Sequence, residues 1–375
     1  MKIRWIIILA FVTVQSFGQG VTINQDLPQE GDQSYFYIDH LPSSIDPGSA
    51  GQDQRWSFMT LQAPFIRKAE WKDGELSLAG NRFKGADLSF QLDEDTEAYY
   101  QKKQNAFYLM GYFGNDPFGL GIRALYKYDE PIRSFSSSIK MGDKSSSKSS
   151  MTTLCTLRDL PDAVRSILPT TPDSIRLIMV SKRVDEVDAW GTMLMPGGFF
   201  EVLREKRSEA RNLRIEVKTG SLPWQDITEL LAENDVFGEH VFLSYHFFSA
   251  DIKEPLVQIY MKAENKGVDK VIYRANQTEE GLIQSTSAIK PGVYAFPNPA
   301  IVNVRFEFAN LKRGQYRLSI QNVLGVEVWA KDYIIDHNFI DLIDVSFLSK
   351  GTYLYSLQDS NGNFLMTRRI VIIRP

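Results

Sequence analysis

Short segments in which apolar and polar side chains alternate with a period of two recur along most of this chain. Residues 86–92 and 120–128 are clear examples, and turn sequences such as Asp73-Gly74 separate many of the segments. Successive side chains of a β-strand point to opposite faces of its sheet, so this period is typical of half-buried strands. The chain is therefore predicted to be an all-β protein built from many short strands.

Two segments depart from this pattern. In residues 221–231, Ser221 can cap a helix, Pro223 suits a first helical turn, and apolar side chains follow with helical spacing. A helix of about two or three turns that closes one end of a β-structure is predicted there. Residues 134–150 contain nine serines. Such a composition favours a long surface loop.

Composition excludes several classes of protein. The chain has 375 residues, of which 43% are apolar, as in a globular protein with two or three domains. Its net charge of −4 gives no basic excess for binding a nucleic acid or an anionic membrane. The single cysteine, Cys155, excludes an intramolecular disulfide and a zinc site built from cysteines. Its strand-like surroundings predict a small buried side chain rather than a nucleophile.

Residues 1–18 have the three parts of a secretory signal peptide. Lys2 and Arg4 form a positive region, residues 5–14 are apolar apart from one threonine, and the small residues Ser16 and Gly18 occupy positions −3 and −1 before the predicted cleavage after residue 18. The apolar run is too short to span a bilayer as a helix. We therefore expect export by the Sec translocon, with no transmembrane segment in the mature chain.

The C-terminal segment, residues 293–375, has a sequence pattern that differs from the rest of the chain. Pro297 and Pro299 flank Asn298 and make a rigid start that cannot join the interior of a sheet. About six or seven short alternating segments follow, enough for a small antiparallel β-sandwich. Gly351 suits a position of positive φ before one of these strands.

Four landmarks occur in this segment in a fixed order. They are Phe-Pro-Asn-Pro-Ala at 296–300, Val-Leu-Gly at 323–325, Leu-Ser-Lys-Gly-Thr-Tyr at 348–353, and a basic-apolar ending at 368–373. This order resembles the type A C-terminal sorting domain of the type IX secretion system, which exports proteins across the outer membrane of Bacteroidota. Two residues depart from the family pattern without altering the strands: Phe296 stands where Tyr is common, and Val326 stands where Lys or Arg often follows the glycine.

The resemblance has consequences for fold, partners and location. It implies an immunoglobulin-like sandwich that contacts the type IX machinery and is removed by a sortase-like peptidase. The protein would then be secreted or held on the outer cell surface after passing through the periplasm. The residues implied as recognition or folding landmarks, rather than catalytic groups, are Pro297, Asn298, Pro299, Gly325, Gly351 and Tyr353.

The domain organisation follows from these segments. The predicted parts are the signal peptide 1–18, a β-rich cargo region at 19–285, a linker at 286–292, and the sorting domain at 293–375. The cargo region is expected to be rich in β-sandwiches, two of them packed together or one integral domain, with one short helix. Its Arg-Trp-Ser-Phe sequence at 55–58, with later Trp-Gly-Thr and Leu-Arg sequences, resembles uncharacterised secreted proteins that carry the same tail.

Candidate ligand sites in the cargo region are few. Asp93, Asp95 and Glu97 alternate as in calcium loops, but the glycine and distal glutamate of an EF-hand loop are missing, so a solvated loop competes with a calcium site. Otherwise no metal or cofactor is expected. His240 and His246 would share one face of a strand without a third ligand. The short sequence around Ser174 resembles the O-glycosylation acceptor of Bacteroidota.

Two classes of function remain open for the cargo region. The sequence contains no G-x-S-x-G, H-E-x-x-H or P-loop motif. This favours a non-catalytic module, secreted or displayed on the surface, that binds a glycan or another envelope component or has a structural role. The alternative is a secreted hydrolase of glycans or peptides, because paired carboxylates are assembled in space and not in sequence.

Overall fold

The protein is described by a computed structural model that covers residues 21–373 apart from 65, 94, 169–170, 232–235, 263–264, 276–282, 286–289 and 337. The predicted signal peptide therefore lies outside the described residues, as does most of the predicted linker. The predicted all-β class is confirmed: the described elements are strands, two short 3-10 turns and a single-turn α-helix. No described helix is long and apolar enough to cross a membrane.

The cargo region contains the first seventeen described strands. These are β1 Thr22–Asn24, β2 Gln33–Asp39, β3 Gly51–Ser57, β4 Ile66–Asp73, β5 Leu88–Gln91, β6 Glu97–Lys103, β7 Ala106–Asn115, β8 Arg123–Ser136, β9 Ser138–Lys140, β10 Lys144–Cys155, β11 Ser174–Met195, β12 Gly198–Lys218, β13 Gln225–Asp226, β14 Gly238–Phe248, β15 Val257–Met261, β16 Val268–Arg274 and β17 Ile283–Ser285. The helical elements are 3-10 turns at Gly80–Arg82 and Thr228–Leu231 and helix α1 at Asp162–Arg165.

All the described cargo strands except β1 and β9 belong to one continuous sheet, rather than to two separate sandwiches. Along the sheet β12 is followed by β14, β15, β16, β2, β4, β5, β6, β7, β8, β10 and β11, and β11 pairs again with β12. These strands therefore form a closed ring. Strands β3, β13 and β17 attach to it from outside.

The ring encloses apolar clusters with a charged layer between them. Side chains of alternate residues on β11 are buried, and this buried face changes from apolar to charged at Arg183 and Asp185. Asp185 accepts hydrogen bonds from Arg183 Nε at 3.1 Å and Arg207 Nε at 2.9 Å. Arg207 also donates to Glu205 at 2.8 Å. We call these four residues the interior ion layer.

Two predictions from local sequence, one from composition and one from helical spacing, are wrong. The serine-rich segment 134–150 forms the end of β8, then β9 and most of β10, which pairs with β11 over its whole length. Backbone hydrogen bonds to β11 satisfy this strand whatever its side chains are, and Ser149 Oγ bonds Asp129 at 2.7 Å.

The predicted helix in 221–231 is a single 3-10 turn, Thr228–Leu231. Ile227 N–H bonds the carbonyl of Ile215 on β12, so the chain before the turn is held as a strand. The predicted apolar packing does hold for Ile227 and Leu231, which are buried, whereas Leu230 is exposed.

The C-terminal part is the predicted small antiparallel sandwich. Its strands are β18 Gly292–Phe296, β19 Asn303–Ala309, β20 Gly314–Asn322, β21 Glu327–Ile335, β22 Phe339–Asp344, β23 Gly351–Asp359 and β24 Phe364–Ile372. The described strands form a sheet in the order β18-β19-β22 and a second in the order β21-β20-β23-β24. Phe306 and Phe308 of the first sheet pack with Leu318 and Ile320 of the second in one core.

Candidate functional site

A cleft of about 1010 Å³ opens on the cargo region where β2, β4, the turn between β11 and β12, and the segment before β15 meet. We call it the Glu254 cleft. Its lining includes Ser34, Trp71, Phe200, Lys253, Glu254 and Arg274.

Glu254 holds three strands together at the base of the cleft. Its Oε2 accepts a hydrogen bond from Ser34 Oγ of β2 at 2.5 Å. Its Oε1 accepts from Trp71 Nε1 of β4 at 3.1 Å and forms an ion pair with Arg274 Nη2 of β16 at 3.0 Å. Both oxygens of this buried carboxyl are therefore engaged by the protein.

Arg274, which lines the cleft, has one guanidinium nitrogen without a hydrogen-bond partner. Its Nη2 meets Glu254 and its Nε donates to the carbonyl of Pro255 at 3.3 Å. Its Nη1 is buried and has no hydrogen-bond partner among the described residues. A buried guanidinium N–H without a partner costs free energy, and a bound acceptor or water would recover it.

A second ion pair lies at the mouth. Lys253 Nζ donates to Asp32 Oδ2 at 2.7 Å, and the N–H of Gln29 donates to the same oxygen at 2.8 Å. Partial burial alone would raise the pKa of Asp32, but the hydrogen bonds from Lys253 and Gln29 outweigh it and lower that pKa. Asp32 therefore stays ionised near neutral pH and is poorly suited to act as a general acid.

Aromatic side chains complete the cleft. Trp71 is buried at its base, while Tyr35 and Phe200 are half-buried in its wall. The aromatic side chains of Tyr99 and Phe107 differ from these, because both are fully buried in the core. The wall of the Glu254 cleft thus combines half-exposed aromatic faces with polar groups, an arrangement common in small-molecule sites.

The sorting landmarks lie in the sandwich and come together at one end of it. Asn298 Nδ2 donates to the carbonyl of Arg369 at 2.9 Å, and its Oδ1 accepts from the N–H of Val371 at 2.9 Å. Asn298, between Pro297 and Pro299, therefore bonds β24 much as a neighbouring strand would.

The remaining landmarks occupy turns and strand starts at the same end. Gly325 has φ of 82° in the turn from β20 to β21, where a side chain would be strained. Gly351 pairs with Ile372, but its φ is not in the positive region, so that prediction is wrong. Tyr353 is buried and donates to the carbonyl of Ser349 at 3.0 Å. The role of these residues as recognition or folding landmarks stays a prediction.

The structure separates the predicted calcium ligands. Asp95 pairs with Arg123 at 2.7 Å, while Asp93 accepts the N–H of Asp95. Glu97 is buried and accepts from Tyr99 Oη and from Ser89 Oγ. In the described ranges, no group of three side chains is arranged to hold a metal ion.

Other predicted residues have plain surroundings. Ser174 is half-buried at the start of β11, and its glycosylation stays a prediction. Burial and the nearby charge of Asp159 raise the pKa of the Cys155 thiol to about 12. His246 is buried beside Ser244, whereas His240 contacts the carbonyl of Phe237.

Sequence reasoning missed the Glu254 cleft. The cleft residues named above come from five separate segments of the chain, so no local spacing signals them. The cations that pair with Asp32 and Glu254 are distant from them in sequence, so these ion pairs can be recognised only in the folded structure.

The C-terminal segment also matches a known protein family. Residues 293–373 match the family model of the Secretion system C-terminal sorting domain. The sandwich is therefore a C-terminal sorting domain, the class predicted from its landmarks. This domain marks the chain for export by the type IX secretion system, so the protein is one that is secreted or attached to the surface. No curated protein matches the chain.

Proposed function

We propose that the cargo region is a non-catalytic binding module whose Glu254 cleft takes a glycan or a similar polar envelope component. The observation that carries the proposal is a cleft lined by half-buried aromatic side chains together with charged and polar groups, among them Arg274 with its unpaired nitrogen. Sugars combine hydroxyl acceptors with apolar ring faces, which such a wall can bind by hydrogen bonding and stacking.

The state of the carboxylates supports binding over hydrolysis. Glycoside hydrolysis needs a carboxylic acid of raised pKa to protonate the leaving group. In the Glu254 cleft the pKa of Asp32 is lowered, and both oxygens of Glu254 already accept hydrogen bonds from protein groups.

The export route completes the proposal. The Sec translocon would recognise residues 1–18, the type IX machinery would bind the sorting domain after passage through the periplasm, and a sortase-like peptidase would remove it. The cargo region would then act outside the cell or on the surface of a member of the Bacteroidota.

Binding is tested on the purified mature chain with a panel of envelope glycans, by glycan array and then by calorimetry. Phe200→Ala should weaken binding by about 3- to 10-fold, since an aromatic contact contributes about 0.5–1.5 kcal/mol beyond its area. Phe199→Ala is the matched control, because the neighbouring Phe199 is exposed and does not line the cleft. Equal loss in both variants, or no glycan bound at all, would refute the proposed site.

The hydrolase alternative is tested in the same samples by following the release of reducing ends and of peptide fragments. Turnover abolished by Glu254→Gln or by Asp32→Asn would replace the binding module with an enzyme. Binding without turnover supports the proposal.

A further inference from the structure

The cargo region and the sorting domain are joined by two ion pairs of opposite sense. Asp39 of the cargo meets Arg305 Nη1 of the sorting domain at 2.7 Å. Arg67 of the cargo meets Glu307 Oε1 of the sorting domain at 3.3 Å. Each side therefore supplies one cation and one anion. We call these four residues the docking interface.

The face of the sorting domain that carries these charges points away from its own core. On β19, Arg305 and Glu307 alternate with the core residues Val304, Phe306 and Phe308. Outward charges on a small sandwich are normally solvated. Here both side chains are buried, with 7% of Arg305 and 3% of Glu307 exposed.

Aromatic side chains widen the same face. In the antiparallel register Phe296 lies opposite Arg305, and Tyr294 lies opposite Glu307, so the four side chains share one side of the sheet. Both aromatic side chains are buried as well. The guanidinium of Arg305 lies 5.8 Å from the centre of the Phe296 ring.

The cargo holds its carboxylate ready for this contact. Asp39 is fully buried, and its oxygens accept the backbone N–H groups of Leu41 at 3.0 Å and Gln62 at 2.9 Å. These bonds fix the carboxylate on the cargo side, and Arg305 supplies the neutralising charge. A buried ion pair that loses one partner leaves an uncompensated charge, which is strongly unfavourable.

We propose that the sorting domain is a specific ligand of its own cargo region and stays docked on it after the chain between them is cut. Complementary charges, two buried aromatic side chains and the carboxylate already oriented on the cargo all favour the docked pair. Cutting the linker would thus not release the tail, and release would need a force or a competitor that opens the docking interface. This proposal is independent of the Glu254 cleft.

The test places a site-specific protease sequence between residues 285 and 290 of the mature chain. After complete cleavage, the two fragments should elute together in size-exclusion chromatography at about 1 µM, because the docking interface buries two ion pairs of complementary charge. Separation of the wild-type fragments at this concentration overturns the proposal.

Substitutions then show whether the named charges hold the fragments together. Arg305→Ala should weaken the complex by about 100-fold or more, because it strands the buried Asp39. Arg317→Ala is the control: this exposed residue pairs with Glu327 and Asp332 on the other sheet and should change nothing. Equal dissociation of the two variants overturns the assignment of the interface.

A second variant covers the case in which Arg305→Ala misfolds, which circular dichroism of the uncut chain would reveal. Glu307→Ala breaks the longer of the two pairs and leaves the oriented Asp39 neutralised. It should therefore weaken the complex by less than Arg305→Ala does, by about 30-fold, the lower end for a buried charge pair. If Arg305→Ala does not fold, an unchanged complex with Glu307→Ala contradicts the proposal.

Discussion

Asp185→Asn should be among the most damaging single substitutions in this protein. The carboxylate of Asp185 is 3% exposed and accepts hydrogen bonds from both Arg183 and Arg207 inside the ring of strands. In the interior ion layer two guanidiniums face the carboxylates of Asp185 and Glu205, so the charges balance. The amide keeps the shape and removes one negative charge, leaving a buried excess of positive charge.

The magnitude follows from this stranded charge. Breaking a buried pair by neutralising one partner costs about 3–5 kcal/mol. Each kcal/mol lowers the Tm of a domain of this size by about 2–4 °C, so we expect a fall of about 6–20 °C. The assay is urea unfolding followed by tryptophan fluorescence, with the Tm from calorimetry as a second measurement.

The chain offers a matched control one residue away. Glu186 lies on the opposite face of β11 and pairs with Lys144 at 2.8 Å in solvent. Glu186→Gln should cost less than about 0.5 kcal/mol, as exposed pairs do. If Asp185→Asn were as mild as Glu186→Gln, the interior ion layer would have to be hydrated, and the reasoning would fail.

A double variant separates charge balance from packing. Replacing Arg183 by Met and Asp185 by Leu removes one charge of each sign and leaves Arg207 paired with Glu205. Apolar replacement of a buried pair is often neutral or stabilising, so this double variant should unfold at higher urea than Asp185→Asn alone. The opposite order would show that shape, and not charge, dominates here.

Three further predictions concern pH, packing and reactivity. Burial and the charge of Asp39 raise the pKa of Glu307 to about 6 against the opposing charge of Arg67, so docking is favoured by proton uptake at Glu307. This part of the affinity is complete below about pH 4.5 and lost as pH rises through 6, whereas the pairing with Arg67 remains above pH 6. The cut fragments should therefore bind more tightly at pH 5 than at pH 7.5, with a smaller difference in Glu307→Gln. Gly191→Ala should detach β3, because the new Cβ would lie 1.9 Å from the carbonyl oxygen of Gln54, and limited proteolysis of residues 51–57 would show this. The thiol of Cys155, whose pKa burial raises to about 12, should react with a disulfide reagent at pH 8 only as the chain unfolds.

Local signals in the sequence predicted one part of the molecule well. The sorting domain could be predicted from the sequence because its landmarks lie in turns and at strand starts, which depend on prolines and glycines at fixed positions. The side chain of Asn298, which the motif places among them, forms hydrogen bonds with the backbone of the last strand.

The cargo region was predictable in class but not in arrangement. Serine content predicted a loop where β11 provides a pairing edge that makes a strand of residues 144–155. The apolar spacing at 227–231 predicted a helix, but the N–H of Ile227 bonds a carbonyl of β12 instead. In both places a partner distant in sequence overrode the local preference.

The Glu254 cleft shows the same limit for function. Its residues are ordinary in sequence, and Ser34 and Glu254 become neighbours only when β2 and the segment before β15 are brought together. Paired charges and unused donors have no sequence period, so this kind of site has to be read from the fold.

Closure of the ring also sets an order of events for the newly made chain. Strand β2 pairs with β16, so Phe36 meets Arg274, and this contact cannot form until nearly the whole cargo region has been synthesised. Contacts between such distant residues slow folding, because the entropy of closing the loop is lost before the strands pair. The ring is thus completed by its last strands, which gives the chain an extended interval in which it is still unfolded and able to pass through a narrow channel.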